Sequence, residues 1–88
     1  MIKLYIGSNN VTKVCEVAKI EKILDKTYKG YTIVKSSGVW EGEHEDSVIV
    51  SLVEMDGYVL ETVIRDLKEE LGQDSIMVEI INSVVKFI

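Results

Sequence analysis

Apolar positions along the chain fall into six separate patterns. Ile2 to Ile6 is a short β-rich run that Gly7 ends, the mark of a strand. Ser8-Asn9-Asn10 follows as a polar turn, and Thr12 or Asn10 is placed to cap the next element. Val14, Val17, Ala18, Leu24 and Tyr28 then recur at helical spacing, with Ile20 and Ile23 widening the stripe. Gly30 is expected to close that helix as a C-terminal glycine. Tyr31-Thr32-Ile33-Val34 reads as a second strand. Ser47 to Val53 is nearly continuous and apolar, as in a central strand covered on at least one face. Asp56 is placed to cap a second helix, in which Leu60, Val63, Ile64, Leu67 and Leu71 fall at i, i+3, i+4, i+7 and i+11. Gly72 is its expected stop, and Ser75 to Ile81 supplies a fourth strand.

The order β-α-β-β-α-β, without proline or a long linker, predicts a ferredoxin-like α+β sandwich. Two helices would cover one face of a four-stranded antiparallel sheet. Residues 1–88 make one domain. The last seven, Asn82-Ser83-Val84-Val85-Lys86-Phe87-Ile88, exceed what that fold needs. They could extend the fourth strand past a bulge at Asn82-Ser83. An apolar strand left in water is an edge prone to aggregate. Val84, Val85, Phe87 and Ile88 are therefore expected to meet a second copy, making the protein a homo-oligomer.

Composition narrows the picture further. With 47% hydrophobic residues the chain can fill one core, although a domain this small buries only roughly 60–65% of its unfolded surface. No run approaches the roughly 20 apolar residues of a membrane helix, and the opening residues are too few for a signal peptide. The single cysteine, Cys15, excludes an internal disulfide and a cysteine metal cluster. A reducing cytoplasm is the default compartment. Net charge is −5, which argues against bulk nucleic-acid binding. Residues 1–35 carry +4 and residues 36–88 carry −9, an asymmetry that can direct an anion, or another copy, to one face.

Candidate chemistry concentrates in residues 38–47, which hold the only Trp, the only His and four acids. Lying between two β-like runs, the segment is expected to be an exposed loop, where binding groups gather. In the predicted topology the first two strands are parallel, so this segment meets the exit of the first strand. Ser8, Asn9, Asn10 and Thr12 would then approach Trp40 and His44. A helix N-terminus beside them would favour a phosphate, and Trp40 could stack on a flat ring. Each residue also has a plainer reading. Trp40 can cap the core, Asn9 and Asn10 can form a turn, and Cys15 can be core packing rather than an activated thiol near a helix start.

His44 with Glu43, Glu45 and Asp46 offers metal-ligand types, but neighbours in an extended segment point in opposite directions. No metal and no cofactor are expected. Lys19, Lys22, Lys26 and Lys29 form one stripe, either a solvated face or a basic strip for an acidic partner. There is no G-x-S-x-G, no phosphate-cradling G-x-x-x-x-G-K-[ST], no H-E-x-x-H and no C-x-x-C. The third strand has no aromatic residues on which RNA bases could stack.

Leu4-Tyr5-Ile6-Gly7, Gly30-Tyr31-Thr32-Ile33 and Gly38-Val39-Trp40-Glu41-Gly42, followed by Glu45-Asp46-Ser47-Val48-Ile49-Val50, resemble a group of small bacterial and phage proteins of unassigned activity. The resemblance spans roughly residues 3–53 and implies no residue roles. By class it suggests a phage protein that sequesters a nucleotide-derived immune signal of its host. The leading expectation is a non-enzymatic homo-oligomer that binds a small anionic, nucleotide-derived ligand near Ser8, Asn9, Asn10, Thr12, Trp40 and His44. Two alternatives remain. One is an acidic module that docks and inhibits a host protein. The other is a small dimeric ferredoxin-like enzyme with His44 as base.

Overall fold

In the computed structural model the chain forms β1 (Ile2–Ile6), α1 (Val17–Asp25), β2 (Thr32–Trp40), β3 (Glu43–Leu52), α2 (Gly57–Leu71) and β4 (Met77–Ile80). It describes residues 1–9, 12–53, 57–82, 85, 86 and 88. The strands make one antiparallel sheet in the order β2-β3-β1-β4, and the helices pack on one of its faces. This is the ferredoxin-like α+β arrangement that the element order predicts.

Period-two alternation explains the core. Ile2, Leu4 and Ile6 of β1 point to the helix side, in register with Leu52, Val50 and Val48 of β3. They meet Ile20, Ile23 and Leu24 of α1 and Leu60, Val63, Leu67 and Leu71 of α2, all buried. Each such side chain contributes about 1.5–3 kcal/mol when withdrawn from water. The other face of the sheet carries no helix. Val34, Ile49, Tyr5 and Met77 lie side by side across it, one from each strand. The Tyr5 hydroxyl donates to Glu79 on this face at 2.8 Å, and that bond raises the Tyr5 pKa.

The β1–β4 pairing extends one residue past β4. Met1 and Ile81 exchange both main-chain bonds, Met1 N to Ile81 O at 3.0 Å and Ile81 N to Met1 O at 2.8 Å. Beyond Ile81, residues 82, 85, 86 and 88 form no strand in the single chain. Val84 and Phe87 lie outside the described residues, as do Asn10 and Asp56, both expected as helix caps.

The ends of the elements depart from the sequence reading in three places. First, α1 begins at Val17 rather than after Thr12, and Glu16 takes the N-cap position without a side-chain cap bond. The cause is a closed loop before it. Asn9 N donates to Val14 O and Lys13 N to Asn9 O, while Thr12 N donates to the Asn9 side chain. Lys13 sits at φ 61°, which a helix cannot accept. Val14, expected on the helical stripe, is therefore 57% exposed.

Second, α1 ends at Asp25, not near Gly30. Tyr28 still reaches the core from the turn that follows, its N–H bonding back to Leu24 O at 2.8 Å. Third, β2 and β3 run well into the expected loop, as described below. The end of α2 is as read. Gly72 is left-handed at φ +61°, and Gln73 N donates to Lys68 O at 3.0 Å, the pairing of a Schellman ending.

A phenol–carboxylate bond ties the end of α1 to the start of β2. The Tyr31 hydroxyl donates to Asp25 Oδ1 at 2.6 Å. That bond first, then partial burial and the negative charge of Asp25, push the Tyr31 pKa up to about 12. The folded state thus holds this proton more tightly than the unfolded chain. The bond's contribution is complete below pH 10, the ordinary phenol value, and is lost as pH rises towards 12. Alkaline unfolding followed by circular dichroism should show this loss in the wild type. Tyr31→Phe should remove that part of the pH dependence and lower stability modestly near neutral pH, where the bond is fully formed.

Candidate ligand groove beside the long hairpin

Residues expected as a loop are instead a regular hairpin. Trp40 pairs with Glu43, Val39 with His44 and Gly38 with Glu45. Only Glu41 and Gly42 lie between the strands, at φ 50° and φ 80°. Positive φ at both central residues marks a type I′ turn, whose twist suits a two-residue hairpin. The polar stretch Glu43-His44-Glu45-Asp46 is therefore strand, with its side chains alternating between the two faces. His44 and Asp46 share the helix side with Val48. Glu43 and Glu45 share the open side with Trp40.

The β1 exit approaches this hairpin, as the topology requires. Ser8 is buried, and its hydroxyl donates to Asp46 O at 2.7 Å. Behind it, Gln73 from the end of α2 donates its side-chain amide to Ser8 O. Asn9 lies against Gly72 so closely that a Cβ there would come within 3.2 Å of the Asn9 amide nitrogen.

Between the β1 exit and β3 runs an open groove of about 530 Å³. Ser8, Asn9 and Lys13 form one wall, and the stretch from Glu43 to Asp46 forms the other. Trp40 and Ser37 of β2 complete it. Trp40 is 71% exposed, so it does not cap the core.

Four of the six residues expected at the site, Ser8, Asn9, Trp40 and His44, therefore line one groove. Thr12 does not. Its hydroxyl accepts from Val14 N within the loop, and Asn10 is outside the described residues. The expected helix N-terminus is absent from the groove, because α1 starts only at Val17. Five lining groups that the sequence reading did not assign to the site are Lys13, Ser37, Glu43, Glu45 and Asp46. For Lys13 no sequence signal existed. For the two glutamates the alternation of a strand would have been enough.

Among the described residues no group of three or more His, Cys, Asp and Glu side chains could hold a metal ion. Cys15 packs half-buried against the core. Burial first, then the negative charges of Asp46, Glu16 and Glu45, raise its pKa, so the thiol is not activated. The lysine stripe is the exposed face of α1 and the turn after it, with Lys19 paired to Glu16 at 2.6 Å. No helix among the described residues is long and apolar enough to cross a membrane.

No protein-family model matches the chain, and no curated protein matches it. Among solved structures, a point mutant of CutA1 from Pyrococcus horikoshii OT3 is similar at a TM-score of 0.54 and 20% identity. The match covers 98% of this chain and 88% of that one. The likeness is one of fold. It assigns the groove no activity.

Two measurements check this geometry. Gly42→Ala should cost about 1 kcal/mol, because alanine resists positive φ. Gly38→Ala, with open space around its Cβ and no such φ, should cost nothing in the same urea titration. Cys15 should react with Ellman's reagent at neutral pH more slowly than an exposed cysteine in a peptide, and unfolding should remove the difference.

Proposed function

We propose that the protein is a non-enzymatic binding protein that takes a small nucleoside- or nucleotide-derived ligand in the groove beside the hairpin. The observation that carries the reading is Trp40. A large aromatic ring, 71% exposed, stands on a two-strand support beside a groove rimmed by hydrogen-bonding groups. An exposed indole offers a flat apolar face, which suits planar ligands. His44 and Asn9 offer further polar contacts. Glu43, Glu45 and Asp46 suit ribose hydroxyls or exocyclic amines as donors.

The charge of the ligand follows from the same residues. Lys13 faces three carboxylates across the groove, and α1 brings no free N–H groups to it. A nucleoside or a singly charged nucleotide fits this balance better than a polyphosphate. Capture of a nucleotide-derived host signal by a phage protein is the concrete role that the class resemblance suggests. It adds no residue to the argument.

Self-association belongs to the proposal. β2 and β4 are both edges of the sheet, and both expose apolar side chains, Val34 and Val39 on one, Met77 and Ile80 on the other. Unpaired edges of this kind are ordinarily covered. Val85 and Ile88 in the tail are exposed as well, and they would supply further cover between copies. A second reading, an acidic module that inhibits a basic protein, is favoured by the hairpin tip, where Glu41 and Glu43 adjoin exposed Val39 and Trp40.

A thermal-shift panel of nucleosides, cyclic dinucleotides, cyclic trinucleotides and ADP-ribose derivatives tests the proposal. A ligand at 100 times its Kd stabilises the native state by about 2.7 kcal/mol, a shift of about 15 °C in a domain this small. Trp40→Ala should abolish the shift while leaving the unliganded Tm and the oligomer unchanged. A panel without any shift overturns the groove reading in favour of the acidic module.

A further inference from the structure

The direction of main-chain groups along β3 can be followed from one end of the sheet to the groove. Met1 and Ile81 exchange both of their bonds, so the odd residues of β1 turn their N–H and C=O groups towards β4. The even ones, Ile2, Leu4 and Ile6, therefore turn theirs towards β3. Their partners Leu52, Val50 and Val48 face back. The β2–β3 register holds without a bulge from Ser51 to Glu43, so the alternation continues to Asp46 and His44. A second feature agrees with this parity. Trp40 and Glu43 close a two-residue hairpin, which places Glu43 on the β2 side and His44 on the other.

β1 stops at Ile6, opposite Val48. Beyond that point Asp46 O accepts the Ser8 hydroxyl, and the next pair of main-chain groups on this edge belongs to His44. Among the described residues no turn or loop bond reaches the His44 main chain. Its N–H and C=O thus stand next to each other on the groove wall, without a strand partner. On either side of them the walls come from opposite faces of the sheet. Trp40, Glu43 and Glu45 come from the open face, and the His44 side chain and Ser37 from the helix face. A flat molecule that bonded to the His44 main chain would lie in the plane of the sheet, between these two sets.

We propose that the His44 main chain reads the edge of a planar heterocycle that presents a ring acceptor beside an amino donor, as adenine does. The inference rests on the groove reading above. The N–H would donate to the ring nitrogen N1, and the C=O would accept from the amino group. An extended peptide is the less suitable occupant, because a strand needs several such residues in succession and this edge leaves one.

Calorimetric titration of the full chain with adenosine, purine riboside (no amino group) and 1-deazaadenosine (no acceptor at N1, N3 and N7 kept) tests it. Each deletion leaves one main-chain group unmatched in the complex, and adenosine should bind about tenfold more tightly than either analogue. His44→Ala keeps the main chain and should keep that preference. His44→Pro removes the N–H. Because this N–H lies outside the β2–β3 ladder, the fold should tolerate proline as edge positions do. His44→Pro should bind adenosine about tenfold more weakly than His44→Ala, with a similar Tm.

Equal affinities for the three ligands, with Trp40→Ala still abolishing binding, would overturn this inference and leave the groove reading standing. Binding of none of the three would overturn this inference, with the wider thermal-shift panel deciding the groove reading, and binding indifferent to Trp40 would overturn both. Should His44→Pro fail to fold, the ligand series on the wild type decides alone.

Discussion

β3 has ten residues and its neighbour β1 has five. Most of what distinguishes this molecule follows from that mismatch. Along its second half β3 is flanked on both sides, and its helix-facing residues Val48, Val50 and Leu52 are fully covered. Along its first half it has β2 on one side and water on the other. A half-paired strand needs turn geometry and side-chain bonds to keep its shape. Here the type I′ turn at Glu41-Gly42 closes the tip, and Ser8, anchored from behind by Gln73, closes the base. The groove is the space between those two closures.

The two halves of the sheet also obey different rules of composition. Where the helices cover it, alternation is strict and apolar. Where they do not, neither face is a core, and the hairpin can carry Ser36, Ser37, His44 and four acids at no desolvation cost. The hydroxyls of Ser36 and Ser47 satisfy each other across the strands at 2.6 Å, and no buried side-chain nitrogen or oxygen among the described residues lacks a partner. The polar end therefore relies on hydrogen bonds where the apolar end relies on packing, and function has room there without loss of core.

This division explains what could be read from the chain. The five-position stripe of α2 and the alternation of β1 are burial patterns, and burial placed them correctly. The order of elements then yielded the sheet, and the sheet brought Ser8 and Asn9 to Trp40 and His44. What escaped was set by forces that leave no hydrophobic trace. The upper hairpin has no buried face, so its strands looked like a loop, and of the turn Glu41-Gly42 only the glycine carries the usual signal. The late start of α1 comes from three loop bonds around Asn9 and the left-handed Lys13. Val14, three residues before Val17, continues the helical period back into that loop and conceals it. Gly30 invited a helix end that Asp25 and Tyr31 had already made.

The same division bears on which molecules the groove can hold. Its charged side chains are mostly acidic, and a search led by charge alone would expect a cation. The main chain argues differently. At a half-paired strand the protein offers a donor and an acceptor whose spacing is fixed by the backbone and unaffected by salt or side-chain rotation. An aromatic ring lies to one side of them and an imidazole to the other. Discrimination by such a pair does not depend on net charge, because the wrong ligand would leave a main-chain group unpaired in the complex. In the proposed complex the carboxylates would act at the rim, where they would repel polyanions and accept from hydroxyls. An acidic protein can in this way bind a nucleoside-like molecule while excluding nucleic acid.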